Sequence, residues 1–277
     1  MIQSLIPGKN SSIKIIAMTK SAGYVNADYL RKAAALGQRI KQRSYELMAV
    51  KNGSRVLDVG CGPGIDTLAL GRLVAPSGCV VGIDIDREML EQADIAVAHA
   101  QLEKVVKHQQ ADVCALPFED AWFDACHVER LFQVLPATYS ANDVLTEMLR
   151  VLRSGGRVVV ADTDWATASV DYSDALLERR LMSFFATQLR PNGYAGRQLY
   201  SMFQQQLLDD IQVEIFPLVQ SDFKQSPLGG WLTGEALTAG IATQSELEGW
   251  MAELTERDAV GQFYWSVNMV MIAAVKG

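Results

Sequence analysis

The stretch Arg55-Val-Leu-Asp-Val-Gly-Cys-Gly-Pro-Gly-Ile-Asp-Thr-Leu-Ala-Leu70 decides the fold. Val56, Leu57 and Val59 make an apolar run of strand length, and Gly60, Gly62 and Gly64 follow it at alternate positions. Glycine has no Cβ and tolerates positive φ, so such a run turns sharply and lets a ligand lie against bare main chain. A helix beginning after Gly64 aims its N-terminal N–H groups at that ligand. A dinucleotide site would carry another glycine or alanine three residues after G-x-G, where this chain has Ile65. Asp58, two residues before the first glycine, suits a ligand bearing an ammonium group better than a pyrophosphate.

Working outward, Cys79-Val-Val-Gly-Ile-Asp84 reads as a second strand ending in an acid, roughly 20 residues past the glycines. Two carboxylates compete there for ribose hydroxyls. Asp84 closes the strand, whereas Asp86 precedes the helical run Arg87-Glu-Met-Leu and is placed as its N-cap, so Asp84 takes the ribose. Met89, one turn into that helix, is positioned either for an adenine face or for the core. Gln110-Ala-Asp-Val113, the strand Trp122-Phe-Asp-Ala-Cys-His-Val-Glu129 and the helix–Gly-Gly–strand segment Glu147 to Asp162 complete the series.

These five segments, in this order, resemble the class I S-adenosylmethionine (SAM) methyltransferases. The first matches their motif I, and the last is similar to the menaquinone/ubiquinone C-methyltransferase-like group. The resemblance implies an α/β fold with a Rossmann-like seven-stranded sheet, an antiparallel seventh strand and helical lid insertions. It also implies SAM as cofactor, held by Asp58, Gly60, Cys61, Gly62, Asp84, Ile85 and Met89. Asp112 is expected on the adenine amino group, the Val113 N–H on a ring nitrogen, and Glu129 beside the methionine part.

Composition narrows the function classes. The chain has 277 residues, 49% of them apolar, which suffices for one large domain or a core with a small cap. No apolar run reaches membrane-spanning length, and the first residues lack a signal peptide's pattern, although Met18 is an alternative start. Cys61, Cys79, Cys114 and Cys126 form no C-x-x-C pair, which fits reduced thiols in a cytoplasmic protein without a zinc site. Residues 1–50 form a basic helical segment: eight Lys/Arg face Asp28 and Glu46, although the net charge of the whole chain is −7. Leu30, Ala33, Leu36, Ile40 and Leu47 give that segment an apolar face. Its basic side is solvated, lets Arg39 or Arg43 reach the SAM carboxylate, or meets an acidic partner. An acidic chain without a broad basic face argues against a nucleic-acid substrate.

The methyltransferase domain then spans 51–277. Strand six fits Ile211–Pro217, strand seven Phe263–Ala274, and the preceding helix Gly196–Leu208. That leaves helical surplus at about 164–195 and 224–262, at the carboxyl ends of strands, where lids belong. These segments are rich in aromatics, among them Trp165, which leads off strand five and is the expected pocket wall. Such a pocket favours an apolar or aromatic small-molecule acceptor. The competing readings are an RNA or protein methyltransferase and a non-catalytic SAM-binding protein. His127, at the end of strand four, is the candidate general base. Asp162, Asp164 and Glu129 offer carboxylates for Mg²⁺, but the metal-dependent family needs Asp-Asn after strand five and this chain has Asp162-Thr-Asp-Trp, so no metal is expected.

Overall fold

The structure is a computed structural model and describes residues 27–277. Met18 and the earlier part of the basic segment lie outside the described residues. Seven strands form one sheet: β1 (Arg55–Val59), β2 (Cys79–Asp84), β3 (Val106–Gln110), β4 (Phe123–Glu129), β5 (Leu152–Val170), β6 (Leu208–Gln220) and β7 (Trp265–Lys276). Their order is β3-β2-β1-β4-β5-β7-β6. The first five run parallel, and β7 is antiparallel to both β5 and β6. Strands of a parallel sheet are covered on both faces, which is why β1, β2 and β4 are almost continuously apolar and buried.

Helices α3 (Ile65–Val74), α4 (Arg87–His99) and α5 (Ala141–Val151) are the crossovers of the parallel half, and α7 (Ala195–Gln204) precedes β6. Asp86 caps α4 by accepting the Glu88 N–H, and Ser140 caps α5 in the same way through Asp143. The basic segment is broken at Gly37 into α1 (Ala27–Leu36) and α2 (Gln38–Met48). Ile40, Leu47 and Met48 of α2 are buried, whereas Leu36 is half exposed, so only the second helix packs its apolar stripe on the sheet. Strand five is much longer than the sequence suggested. It continues to Val170 because β7 pairs along it, with an irregularity between Asp164 and Ser169.

The surplus segments carry α6 (Ala175–Thr187) between β5 and α7, and α8 (Gly230–Thr238) and α9 (Gln244–Ala259) between β6 and β7. They build a second apolar core, separate from the two cores on the faces of the sheet. Leu181, Phe185, Leu228 and Trp250 are its centre, and the carboxyl end of β5 and the start of β7 supply Trp165 and Trp265. A Thr243–Glu246 capping box and the Asp174 cap fix where α9 and α6 begin. Among the described residues no helix is long and apolar enough to cross a membrane.

Candidate active site

Ligands of open α/β sheets sit at the carboxyl ends of the strands, and β1 reverses there through the glycine turn. Gly60, Gly62 and Gly64 have φ of 73°, 52° and 81°, which L side chains rarely adopt. The turn is tied to β2: the Gly60 and Cys61 N–H groups donate to Ile83 O at 2.8 and 2.9 Å. The Gly62 N–H donates to Asp84 Oδ2 at 2.9 Å. A Cβ on Gly64 would lie 2.8 Å from Ala93 Cβ, so this third glycine lets α3 pack against α4. Leu30 of α1 and Leu131, just past β4, border the open side of the turn, 3.4 and 3.2 Å from where Cβ atoms on Gly62 and Gly60 would stand.

Carboxylates surround that turn. Asp84 is buried, accepts the Asp86 N–H through Oδ1 at 2.9 Å, and has its pKa raised chiefly by burial. Asp112, past β3, accepts the Cys114 N–H at 2.9 Å and the Tyr139 hydroxyl at 3.2 Å, with Val113 buried beside it. Ile85 directly follows Asp84, and its carbonyl accepts from Gln110 Nε2, while Met89 is buried in the first turns of α4. Cys61 is buried, and burial raises its thiol pKa.

Beneath the turn lies a polar network that the sequence did not announce. Lys41 of α2 donates to both Asp66 oxygens at 3.0 and 2.7 Å and to Glu129 Oε2 at 2.9 Å. Tyr45 donates to Asp66 Oδ1 at 2.5 Å. Burial opposes both charges of the Lys41–Asp66 pair, yet their attraction keeps Lys41 above its ordinary range and holds Asp66 at about 2. Asp58 and His127 stand side by side on β1 and β4, with Nδ1 2.8 Å from Asp58 Oδ1. The Ser44 hydroxyl donates to Lys41 O, so the second imidazole nitrogen, 3.2 Å from Ser44 Oγ, is assigned as a donor. Burial opposes a charge on the His127 ring, but the Asp58 hydrogen bond and the charges of Asp58, Asp66 and Glu129 raise its pKa overall.

Several expected positions have other surroundings. His127 is fully buried with both nitrogens engaged, rather than turned to the crevice. Arg43 pairs with Glu214 of β6 at 2.6 Å and does not belong to the network; the buried cation is Lys41. Asp162, Asp164 and Glu129 do not share one site. Asp162 accepts backbone N–H groups of Thr163 and Gln133, Asp164 binds Arg197 at 2.7 Å, and Glu129 binds Lys41. Asp58, Asp66 and His127 do converge within 4.8 Å, but Lys41 already supplies the cation there. A cavity of about 390 Å³ lined by Ala49, Asn52, Asp124 and Arg153 opens at the opposite, amino ends of the strands, away from the turn.

Asp162 is the residue whose role the sequence left open. Midway along β5, just past the stretch paired with β4, it is fully buried, and burial pushes its pKa up to about 7. It holds the turn after β4 by accepting the Gln133 N–H. That turn carries Leu131 beside Gly60 and Gln133 against the Trp165 indole N–H, and so joins the glycine turn to the second apolar core.

A family profile described as a methyltransferase domain matches residues 50–207. The chain is 30% identical over 255 residues to an uncharacterized 37.1 kDa protein in transposon TN4556 of Streptomyces fradiae, covering 89% of this chain and 70% of that one. The chain belongs to the methyltransferase-domain family. More particularly, it is a class I SAM-dependent methyltransferase. Demethylmenaquinone methyltransferase of Lactobacillus johnsonii is 34% identical to it over 127 residues, or 46% of this chain. The match covers 51% of that relative, so the methyltransferase spans about half the relative's length. The YcgJ protein of Bacillus subtilis shares the fold, with a TM-score of 0.58 at 21% identity over 88% of this chain and 98% of that one. The turn fits the family's cofactor: SAM carries an ammonium, a sulfonium and ribose hydroxyls, and here buried carboxylates ring bare main chain. Asp58 Oδ2 is buried and has no hydrogen-bond partner among the described residues.

Proposed function

We propose that this methyltransferase moves the SAM methyl group to an apolar or aromatic small molecule held under α6, α8 and α9. The observation that carries the reading is the second apolar core, which gathers Trp165, Phe185 and Trp265 and is linked to the glycine turn through the segment from Leu131, beside Gly60, to Gln133, bonded to the Trp165 indole. Segments 164–195 and 224–262 are then lids on a domain spanning 51–277. Asp84 holds the ribose hydroxyls, Asp112 the adenine amine and the Val113 N–H a ring nitrogen. Met89 and Ile85 flank the adenine, and the main chain of Gly60, Cys61 and Gly62 runs along the methionine part, with Asp58 and Glu129 as the nearby negative charges. SAM supplies a methyl group already activated on a sulfonium.

The protein's remaining task is alignment in a water-free pocket. His127 takes no proton from the acceptor in this reading, because it is fully buried with its ring nitrogens engaged by Asp58 and Ser44. It anchors Asp58 under the turn instead. Trp165 walls the acceptor pocket from inside the lid core. The four thiols, none in a disulfide and all with pKa values raised by burial, fit the cytoplasm.

The test is incubation of the full chain with methyl-labelled SAM and separate pools of phenolics, quinones and lipids, RNA, and protein. Label is expected in the small-molecule pool. Label in RNA or protein would overturn the reading, and SAM binding without transfer to any pool would favour a non-catalytic binder.

A further inference from the structure

A chain of net charge −7 gathers cations around the cavity at the amino ends of the strands. That cavity, of about 390 Å³, is lined among the described residues by Lys51, Arg153 and Arg157 against one acid, Asp124. Asp124 has both oxygens engaged: Oδ1 accepts from Arg153 Nε and Oδ2 from the Arg55 N–H, each at 2.7 Å. Arg153 Nη1 donates to Ser154 O at 3.0 Å, which leaves Nη2 without a protein acceptor among the described residues. The negative end of α2 also lies here, and Arg157 covers it by donating from Nη1 to Leu47 O at 3.3 Å. Its Nε and Nη2 are left over among the described residues. Lys51 bonds Ser54 through its main chain, and its exposed ammonium has no partner among the described residues.

Three cations against one carboxylate leave the walls positive by two. A concave site of one sign between low-dielectric walls focuses its field and concentrates counter-ions. We propose that this cavity is a second ligand site, for a small organic molecule carrying two or more negative charges on phosphoryl or carboxylate groups. Guanidinium groups match either oxyanion, and an ammonium adds a point charge. The volume falls in the range of small-molecule sites, about 300–1,000 Å³, and Met48 and Val50 add apolar wall for a carbon body. The occupant is not the methyl acceptor. The five residues of β1 separate the cavity from the glycine turn, roughly 16 Å at about 3.3 Å per residue. The site therefore stands whichever acceptor the methyl group reaches.

The experiment is calorimetry on the full chain at low salt with ribose 5-phosphate, citrate and, as the uncharged control, ribose. The two anions separate phosphoryl from carboxylate. At least one of them should bind about tenfold tighter than ribose, and saturating S-adenosylhomocysteine should leave that affinity unchanged. Lys51→Gln should weaken it about threefold, as fits an exposed charge, and Arg157→Gln about tenfold. Lys224→Gln, at an exposed lysine of the short 3-10 helix Phe223–Gln225, should leave it unchanged. The Lys51 ammonium holds nothing in the fold, so its variant decides alone if circular dichroism shows that Arg157→Gln fails to fold. Binding of both anions no tighter than ribose, affinity untouched in Lys51→Gln, or an equal loss in Lys224→Gln overturns the proposal. Competition by S-adenosylhomocysteine overturns it too, because the anion would then sit in the cofactor cleft.

Discussion

At Asp84 one carboxylate has two tasks. It accepts the Gly62 and Asp86 N–H bonds at 2.9 Å each, which fixes the shape of the glycine turn, and in the proposed complex it also meets the ribose. Asp86, two residues on, accepts the Glu88 N–H at the start of α4. The two are therefore separable by mutation. Asp84→Ala should weaken SAM binding by about 1–3 kcal/mol, the worth of hydrogen bonds to a charged group. Asp86→Ala should cost about 1 kcal/mol of stability as a lost N-cap and leave SAM affinity in place. Calorimetry with SAM beside a denaturant melt reads both; unchanged affinity in the Asp84 variant would remove it from the cofactor site.

At the scale of elements, α2 is the piece that closes the sheet beneath the glycine turn. Its stripe mixes Ile40, Leu47 and Met48 with the buried polar side chains of Lys41 and Ser44. Lys41 ties it to α3 through Asp66 and to β4 through Glu129. A buried ion pair adds little over an apolar pair, but removing one member strands the other charges, which costs about 3–5 kcal/mol. Lys41→Met should therefore unfold at markedly lower urea. Arg43→Met, which removes exposed pairs to Glu46 and Glu214, should move the urea midpoint little, because solvent and salt screen such pairs. Equal midpoints for the two variants would show that α2 is not held by this network.

For the molecule as a whole, stability must carry the signature of Asp162. Folding raises its pKa to about 7, because the group is cut off from water between β5, α7 and the turn after β4. The unfolded chain titrates it near pH 4 (about 3.9). Between those values the folded state binds more protons than the unfolded one, so stability falls as pH rises and levels off above about pH 7. The loss is at most a few kcal/mol, roughly 1.4 kcal/mol for each pH step of one across that window. Asp162→Asn removes that slope while leaving the Lys41 and His127 networks to titrate as before. The drop in melting temperature from pH 5 to pH 8 should be larger in wild type than in the variant. Equal drops would mean that Asp162 titrates normally.

Local features were legible in the chain before any fold was known: the strand–turn–helix at residues 55–70, the Asp86 cap, and the helical segments set between recognisable strands. Glycine spacing, apolar periodicity and capping are properties of neighbours along the chain, so they need no tertiary context. Partners far apart in sequence decided the rest. Lys41 meets Asp66 across 25 residues and Glu129 across 88, and His127 meets Asp58 across 69. A stripe analysis of α2 could have flagged Lys41, which lies three residues before the fully buried Ser44. Nothing local marks His127 as buried with both ring nitrogens engaged, or Asp162 as a raised carboxyl. Charge and burial at those positions depend on which groups the tertiary structure brings around them and on how completely it excludes water.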